Sequence, residues 1–146
     1  MSENKKRFAL TVGVFDCFHN GHANLLQKMR DAAEHVVVIL HDDVSTYKNK
    51  RRFTVQKLEH RLSNLYASGL VDSVTVTYSA DPHTELRRAI ETMLGHANCN
   101  EIVYMRGDDW QEFPGKYVLE EYGVPVEYVP YTKTISTTKI RNGFKL

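Results

Sequence analysis

Phe8-Ala9-Leu10-Thr11-Val12-Gly13-Val14-Phe15-Asp16-Cys17-Phe18-His19-Asn20-Gly21-His22 decides the fold. Phe8 to Val14 is short, apolar and partly β-branched, the composition of a buried strand. The period changes after Gly21. Leu25, Leu26, Met29, Ala32 and Ala33 share one face of a helix. His35 to Leu40 then carries an unbroken apolar run, Val36 to Leu40, which marks a central strand of a parallel sheet covered on both faces. Strand, helix and strand make a right-handed βαβ unit.

The turn inside that unit suits an anion. The free N–H groups and positive dipole end of a helix favour negative charge. His19 and His22 are three residues apart at the helix start, so both rings can face one side. Gly21 lets a ligand come close to the backbone. Imidazoles in that position can donate hydrogen bonds to phosphate oxygens. A zinc reading finds no third His or Cys at compatible spacing.

Outward from this unit, helices and strands keep alternating. His41 to Arg52 reads as a polar loop ending in Lys48-Asn49-Lys50-Arg51-Arg52. Thr54 is placed to cap a helix whose apolar face is Leu58, Leu62, Leu65 and Tyr66, closed by Gly69. Val71 to Tyr78 reads as the third strand. Asp81 caps the next helix with Pro82 at its first position, and Gly95 closes it. Glu101 to Arg106 is the fourth strand and runs into Gly107-Asp108-Asp109-Trp110. Pro114 to Glu121 is a short helix stopped by Gly123. Val124 to Val129 is the fifth strand. Ser136-Thr137-Thr138 opens a last short helix to about Asn142. The pattern predicts a doubly wound, Rossmann-like α/β fold: one domain over residues 1–146, built on a five-stranded parallel sheet. In such sheets ligands bind outside the carboxyl ends of the strands. The loops after strands one, four and five all carry unusual polar content and all open onto that edge.

The chain has 146 residues and a formal net charge of +1, which argues against a protein that coats nucleic acid or an acidic membrane. Two distant cysteines, Cys17 and Cys99, fit free thiols in a reducing, cytoplasmic setting. The sequence has no secretory h-region and no apolar run of about 18 residues, so no membrane span is expected.

Gly13, Phe15, Asp16, His19, Gly21 and His22 fit a GxFDxxHxGH pattern that resembles the HxGH signature of the nucleotidyltransferase superfamily. The form is that of cytidylyltransferases and their small-molecule adenylyltransferase relatives. Ile135-Ser136-Thr137-Thr138-Lys139-Ile140-Arg141 is similar to the family's ISTTxIR. Gly107-Asp108-Asp109-Trp110 looks like the GDDW of glycerol-3-phosphate cytidylyltransferases, and Glu59-His60-Arg61 like their EHR. Class I aminoacyl-tRNA synthetases share HxGH, but this chain is too short and lacks their lysine-rich second signature.

The resemblance implies that a phosphate monoester attacks the α-phosphorus of CTP, or alternatively ATP, and pyrophosphate leaves. Magnesium is the implied cofactor and a homodimer the implied assembly. By resemblance, His19, His22, Lys48 and Arg61 act on the phosphates as catalytic residues. Gly13, Phe15, Asp16, Gly21, Lys50, Gly107, Asp108, Asp109, Ser136, Thr137 and Thr138 surround the nucleotide. Asp16 orients the loop or helps to hold magnesium. Arg61 has the alternative of a surface ion pair, and Lys48 and Lys50 that of a solvated basic turn. Ser136 to Thr138 offer a second phosphate cradle or plain helix capping.

The sequence leaves the glycerol-3-phosphate pattern at three places. RTEG before ISTT is replaced by Tyr131-Thr132-Lys133-Thr134, and Gly69 stands shortly before Val71-Asp72-Ser73-Val74, where the family carries an arginine. Tyr131 and Lys133 are therefore the candidate acceptor-binding residues, and the phosphorylated acceptor stays open. A nucleotide-binding sensor without catalysis is the remaining alternative.

Overall fold

Five parallel strands stand in the order β3-β2-β1-β4-β5, as a doubly wound sheet requires. The computed structural model describes residues 6–96, 99–108 and 111–130. In chain order the elements are β1 (Lys6–Gly13), α1 (Asn20–Ala32), β2 (His35–His41), α2 (Asp43–Lys50), α3 (Leu58–Ala67), β3 (Ser73–Thr77), α4 (His83–Leu94), β4 (Cys99–Gly107), α5 (Lys116–Tyr122) and β5 (Val126–Val129). The last helix expected near Asn142 lies outside the described residues. No described helix is long and apolar enough to cross a membrane.

Side chains that alternate along each strand feed two cores. Ala9, Val38, Leu40 and Met105 meet Leu26 and Met29 of α1 and Leu65 of α3 on one face. Phe8, Leu10, Ile39 and Tyr104 meet Leu86, Ile90 and Met93 of α4 and Val118 and Leu119 of α5 on the other. Leu26 and Met29 are fully buried. Each contributes about 1.5–3 kcal/mol, more than a helix cap supplies, so core packing fixes where α1 stands and the cap adjusts its first turn.

Three local expectations are corrected. Residues 43–50 form α2 rather than a loop, with Asp42 accepting the Ser45 N–H at 2.8 Å as N-cap. Thr54 caps nothing; its hydroxyl meets Asp43 at 3.1 Å, and α3 starts at Leu58, two residues after the Val55–Gln56 segment that Asp16 holds. Asp81 accepts the Tyr117 hydroxyl, while Pro82 takes the N-cap position of α4 without a side-chain bond.

Candidate active site

The carboxyl ends of β1, β2 and β4 open onto a cavity of about 610 Å³. That size accepts a small organic ligand. The turn after β1 forms part of its wall. A Cβ at Gly13 would meet the Phe15 ring at 2.7 Å, so glycine is required where Phe15 folds back. Phe15 and Cys17 have φ of 52° and 50°. Such left-handed backbone costs a residue with a side chain about 1–2 kcal/mol.

Long-range bonds hold this turn. Asp16, only 3% exposed, accepts the backbone N–H of Val55 at 2.7 Å and of Gln56 at 2.9 Å, one on each carboxylate oxygen. Gln56 Oε1 accepts the Cys17 N–H at 3.1 Å. Of the two roles expected for Asp16, orienting the loop is the one its bonds describe. Each oxygen accepts one backbone N–H, and the residue also lines the cavity. No group of three His, Cys, Asp or Glu that could hold a metal exists among the described residues.

His19 and His22 form a reciprocal capping box. His19 is the N-cap of α1, and its Nδ1 accepts the Gly21 N–H at 3.0 Å. Nδ1 of His22 accepts the His19 N–H at 3.2 Å. The rings stack with centroids 3.8 Å apart. A neutral imidazole with an accepting Nδ1 carries its proton on Nε2. Both rings are thereby fixed as Nε2–H donors. Burial holds His19 below the ordinary imidazole pKa. Burial, reinforced by the positive fields of His19 and Lys50, pushes His22 down to about 3.

Arg61 requires a correction. It is expected to meet phosphate or to lie in a surface ion pair; instead it is fully buried. Its Nε donates to the Gln56 carbonyl, its Nη1 to the Val14 and His41 carbonyls at 2.9 and 2.7 Å, and its Nη2 to Asp43 at 2.6 Å. Four of its five N–H donors are thereby spent inside the fold. It joins the turn after β1, the end of β2, the start of α2 and the segment before α3.

Gly13, Phe15, Asp16, His22, Lys50 and Gly107 line the cavity together. Gly21 donates its N–H to His19. Lys48 is exposed on the last turn of α2 and is not part of the cavity wall among the described residues. Asp108 is exposed just beyond β4. Asp109, Tyr131, Lys133, Ser136, Thr137 and Thr138 lie outside the described residues.

Sequence reasoning missed His41, Arg106 and Phe113, all of which line the cavity. His41 and Arg106 stand near the carboxyl ends of apolar strands, on the edge where doubly wound sheets bind ligands, and that placement was the available signal. His41 is buried with Nδ1 2.9 Å from Ser45 Oγ, and burial pushes its pKa down to about 4.

These two depressed imidazoles predict acid lability. Unfolded, each binds its proton near pH 6.5; folded, His22 and His41 resist protonation to about 3 and about 4. The unfolded state therefore holds more protons between those limits. The stabilising contribution is present above pH 6.5 and falls as pH drops, by about 1.4 kcal/mol per pH unit for each ring. Urea midpoints at pH 7 and pH 5 should differ accordingly; equal midpoints would contradict the burial of these rings.

A family model described as cytidylyltransferase-like matches residues 10–143. Glycerol-3-phosphate cytidylyltransferase of Bacillus subtilis (strain 168) is 31% identical over 133 residues, covering 90% of this chain and 92% of the relative. The bifunctional protein HldE of Geotalea uraniireducens (strain Rf4) is 36% identical over 146 residues, covering 94% of this chain but 28% of the relative. Among solved structures, a lipopolysaccharide core biosynthesis protein from Thermoplasma volcanium GSS1 superposes with a TM-score of 0.63 at 20% identity, over 89% of this chain and 99% of that one. A bifunctional NMN adenylyltransferase/ADP ribose pyrophosphatase from Francisella tularensis reaches a TM-score of 0.66 at 15% identity, over 95% of this chain and 41% of that one. These two similarities show the shared fold.

Proposed function

The chain belongs to the cytidylyltransferase-like family, and from that premise we propose that it transfers the cytidylyl group of CTP to a phosphorylated small alcohol. Glycerol 3-phosphate or a related monoester is the acceptor class. An acceptor phosphate oxygen attacks the α-phosphorus, a P–O bond forms, the bond to the β-phosphate bridging oxygen breaks, and pyrophosphate leaves with that electron pair.

The observation that carries this reading is the reciprocal histidine box at the start of α1. His19 and His22 supply two Nε2–H donors at a helix N-terminus, where an oxyanion gains most. Neither ring serves as a base, since each Nδ1 already accepts a backbone N–H. None is needed: the second ionisation of a phosphate monoester lies near pH 6, so the nucleophile is mostly dianionic at neutral pH. The work of the protein is to hold two anions in line and to offset the charge that builds between them. Lys50, on the cavity wall, adds positive charge to this arrangement.

Magnesium, on this reading, arrives on the triphosphate as part of the substrate. We place Ser136 to Thr138 against the phosphates and Tyr131 and Lys133 against the acceptor on motif resemblance. A cytoplasmic homodimer is inferred on the same ground, and light scattering of the purified chain tests the assembly.

Incubation with Mg²⁺, CTP or ATP and a panel of phosphorylated small molecules should release pyrophosphate with CTP and at least one monoester. A preference for ATP would transfer the reading to an adenylyltransferase. Silence with every pair would leave a nucleotide-binding sensor.

A further inference from the structure

Arg106 is a cation that the motif pattern does not supply. It is the last residue but one of β4, lines the cavity, and holds its guanidinium 4.1 Å from the Phe113 ring centroid. Phe113 in turn stacks on Tyr104, with centroids 5.2 Å apart and planes within 5°. Tyr104 is fully buried, with its hydroxyl close to Arg106, Thr11 and Val12. Arg106 thus rests on a rigid aromatic pair. Its Nε is buried and without a hydrogen-bond partner, and no carboxylate of the described residues forms a salt bridge with it. A buried donor left unpaired costs about 1–3 kcal/mol, and a fixed guanidinium fork matches the geometry of phosphate.

The side of the sheet matters as much as the charge. Residues two apart on a strand point to the same face. Arg106 therefore shares the face of Tyr104, which packs with α4 and α5, whereas α1 packs with the opposite face. His22 and Arg106 line one cavity from opposite sides of the sheet. In-line displacement requires the attacking and leaving oxygens on opposite sides of the α-phosphorus. With the triphosphate at the start of α1, the incoming monoester belongs on the side of Arg106.

We propose that Arg106, braced by Phe113 and Tyr104, anchors the phosphate of the acceptor and selects for phosphomonoester substrates. The assignment rests on the transferase reading above. It supplies a cation where Tyr131 and Gly69 stand in place of family arginines.

Arg106→Met keeps the length and the contact with Phe113 but removes the charge; Arg106→Lys keeps the charge without the fork. Two readouts decide the matter. In the pyrophosphate assay, Arg106→Met should raise the acceptor KM about 10- to 150-fold, the range expected of a charge-assisted bond, with the CTP KM within about threefold. Arg106→Lys should fall between. An unchanged acceptor KM, or an equal rise in the CTP KM, overturns the assignment. In parallel, the thermal midpoint is measured with glycerol 3-phosphate, ribose 5-phosphate and inorganic phosphate. At least one should stabilise the wild-type chain, and that shift should vanish in Arg106→Met while the shift with CTP persists. A shift retained in Arg106→Met, or none with wild type, counts against the subsite. If wild type releases no pyrophosphate yet shows a phosphate shift that depends on Arg106, the transferase reading fails and the anion site stands.

Discussion

His22→Asn lowers kcat by about 100- to 1000-fold while the thermal midpoint moves by no more than a few degrees. The two outcomes separate because the ring has two jobs on two atoms. Its Nδ1 closes the first turn of α1 by accepting the His19 N–H, and its Nε2–H is the donor proposed for phosphate. The oxygen of an asparagine side chain takes over the first job and leaves the second empty. His22→Ala loses both, and the lost cap costs about 1 kcal/mol more, a further fall of roughly 2–4 °C. Pyrophosphate release at saturating CTP measures the first effect and a thermal scan the second. A folded His22→Asn protein with near-normal turnover would remove the histidine from catalysis altogether.

Arg61→Ala should lower the unfolding free energy by about 3–5 kcal/mol, out of the 5–15 kcal/mol usual for a domain. The loss has a definite origin. The carbonyls of Val14, His41 and Gln56 and the Asp43 carboxylate lose a charged partner at once, and a cavity opens where the fully buried stem stood. The half-exposed pair Arg7–Glu101 is the control, since a bridge in solvent contributes about 0–1 kcal/mol. Arg61→Lys should be intermediate, because an ammonium cannot span four acceptors with a planar fork. Urea denaturation of the three variants tests this. A stability change below 1 kcal/mol in Arg61→Ala, with a raised CTP KM instead, would restore the direct phosphate contact expected from the motif.

The sequence carried the strands well because hydrophobic runs report burial directly. Val36 to Leu40 reads as a two-sided strand, and β2 does stand between β1 and β3. Gly95 and Gly123 end α4 and α5 as expected. The missed α2 shows the limit of that signal. Its buried residues are Ser45 and Thr46, while Val44 and Tyr47 face solvent, so apolar periodicity gives no sign of a helix. Its cap is Asp42, a residue type that favours helix starts but does not by itself announce one. In the site, motif residues were found by spacing, yet spacing says nothing of where a donor is spent. Spacing left Asp16 between orienting the loop and holding magnesium, and Arg61 between phosphate and a surface ion pair; the fold uses Asp16 to hold the loop and spends Arg61 on buried carbonyls and Asp43. Arg106 was hidden for the opposite reason, being read as the last residue of a strand rather than as part of the cavity.

The turn that carries the histidines is short in sequence but is not a self-sufficient part. Its two left-handed residues, Phe15 and Cys17, are flanked by bonds that reach 39 and 40 residues along the chain, from Asp16 to Val55 and Gln56. Arg61 adds a bond to Val14 across 47 residues. The ten residues from Gly13 to His22 are therefore not transplantable. Grafted onto another strand-turn-helix unit, they would bring the letters of the motif without the clasp that shapes it, and any attempt to move this anion site to a new scaffold must carry residues 55–61 along with it.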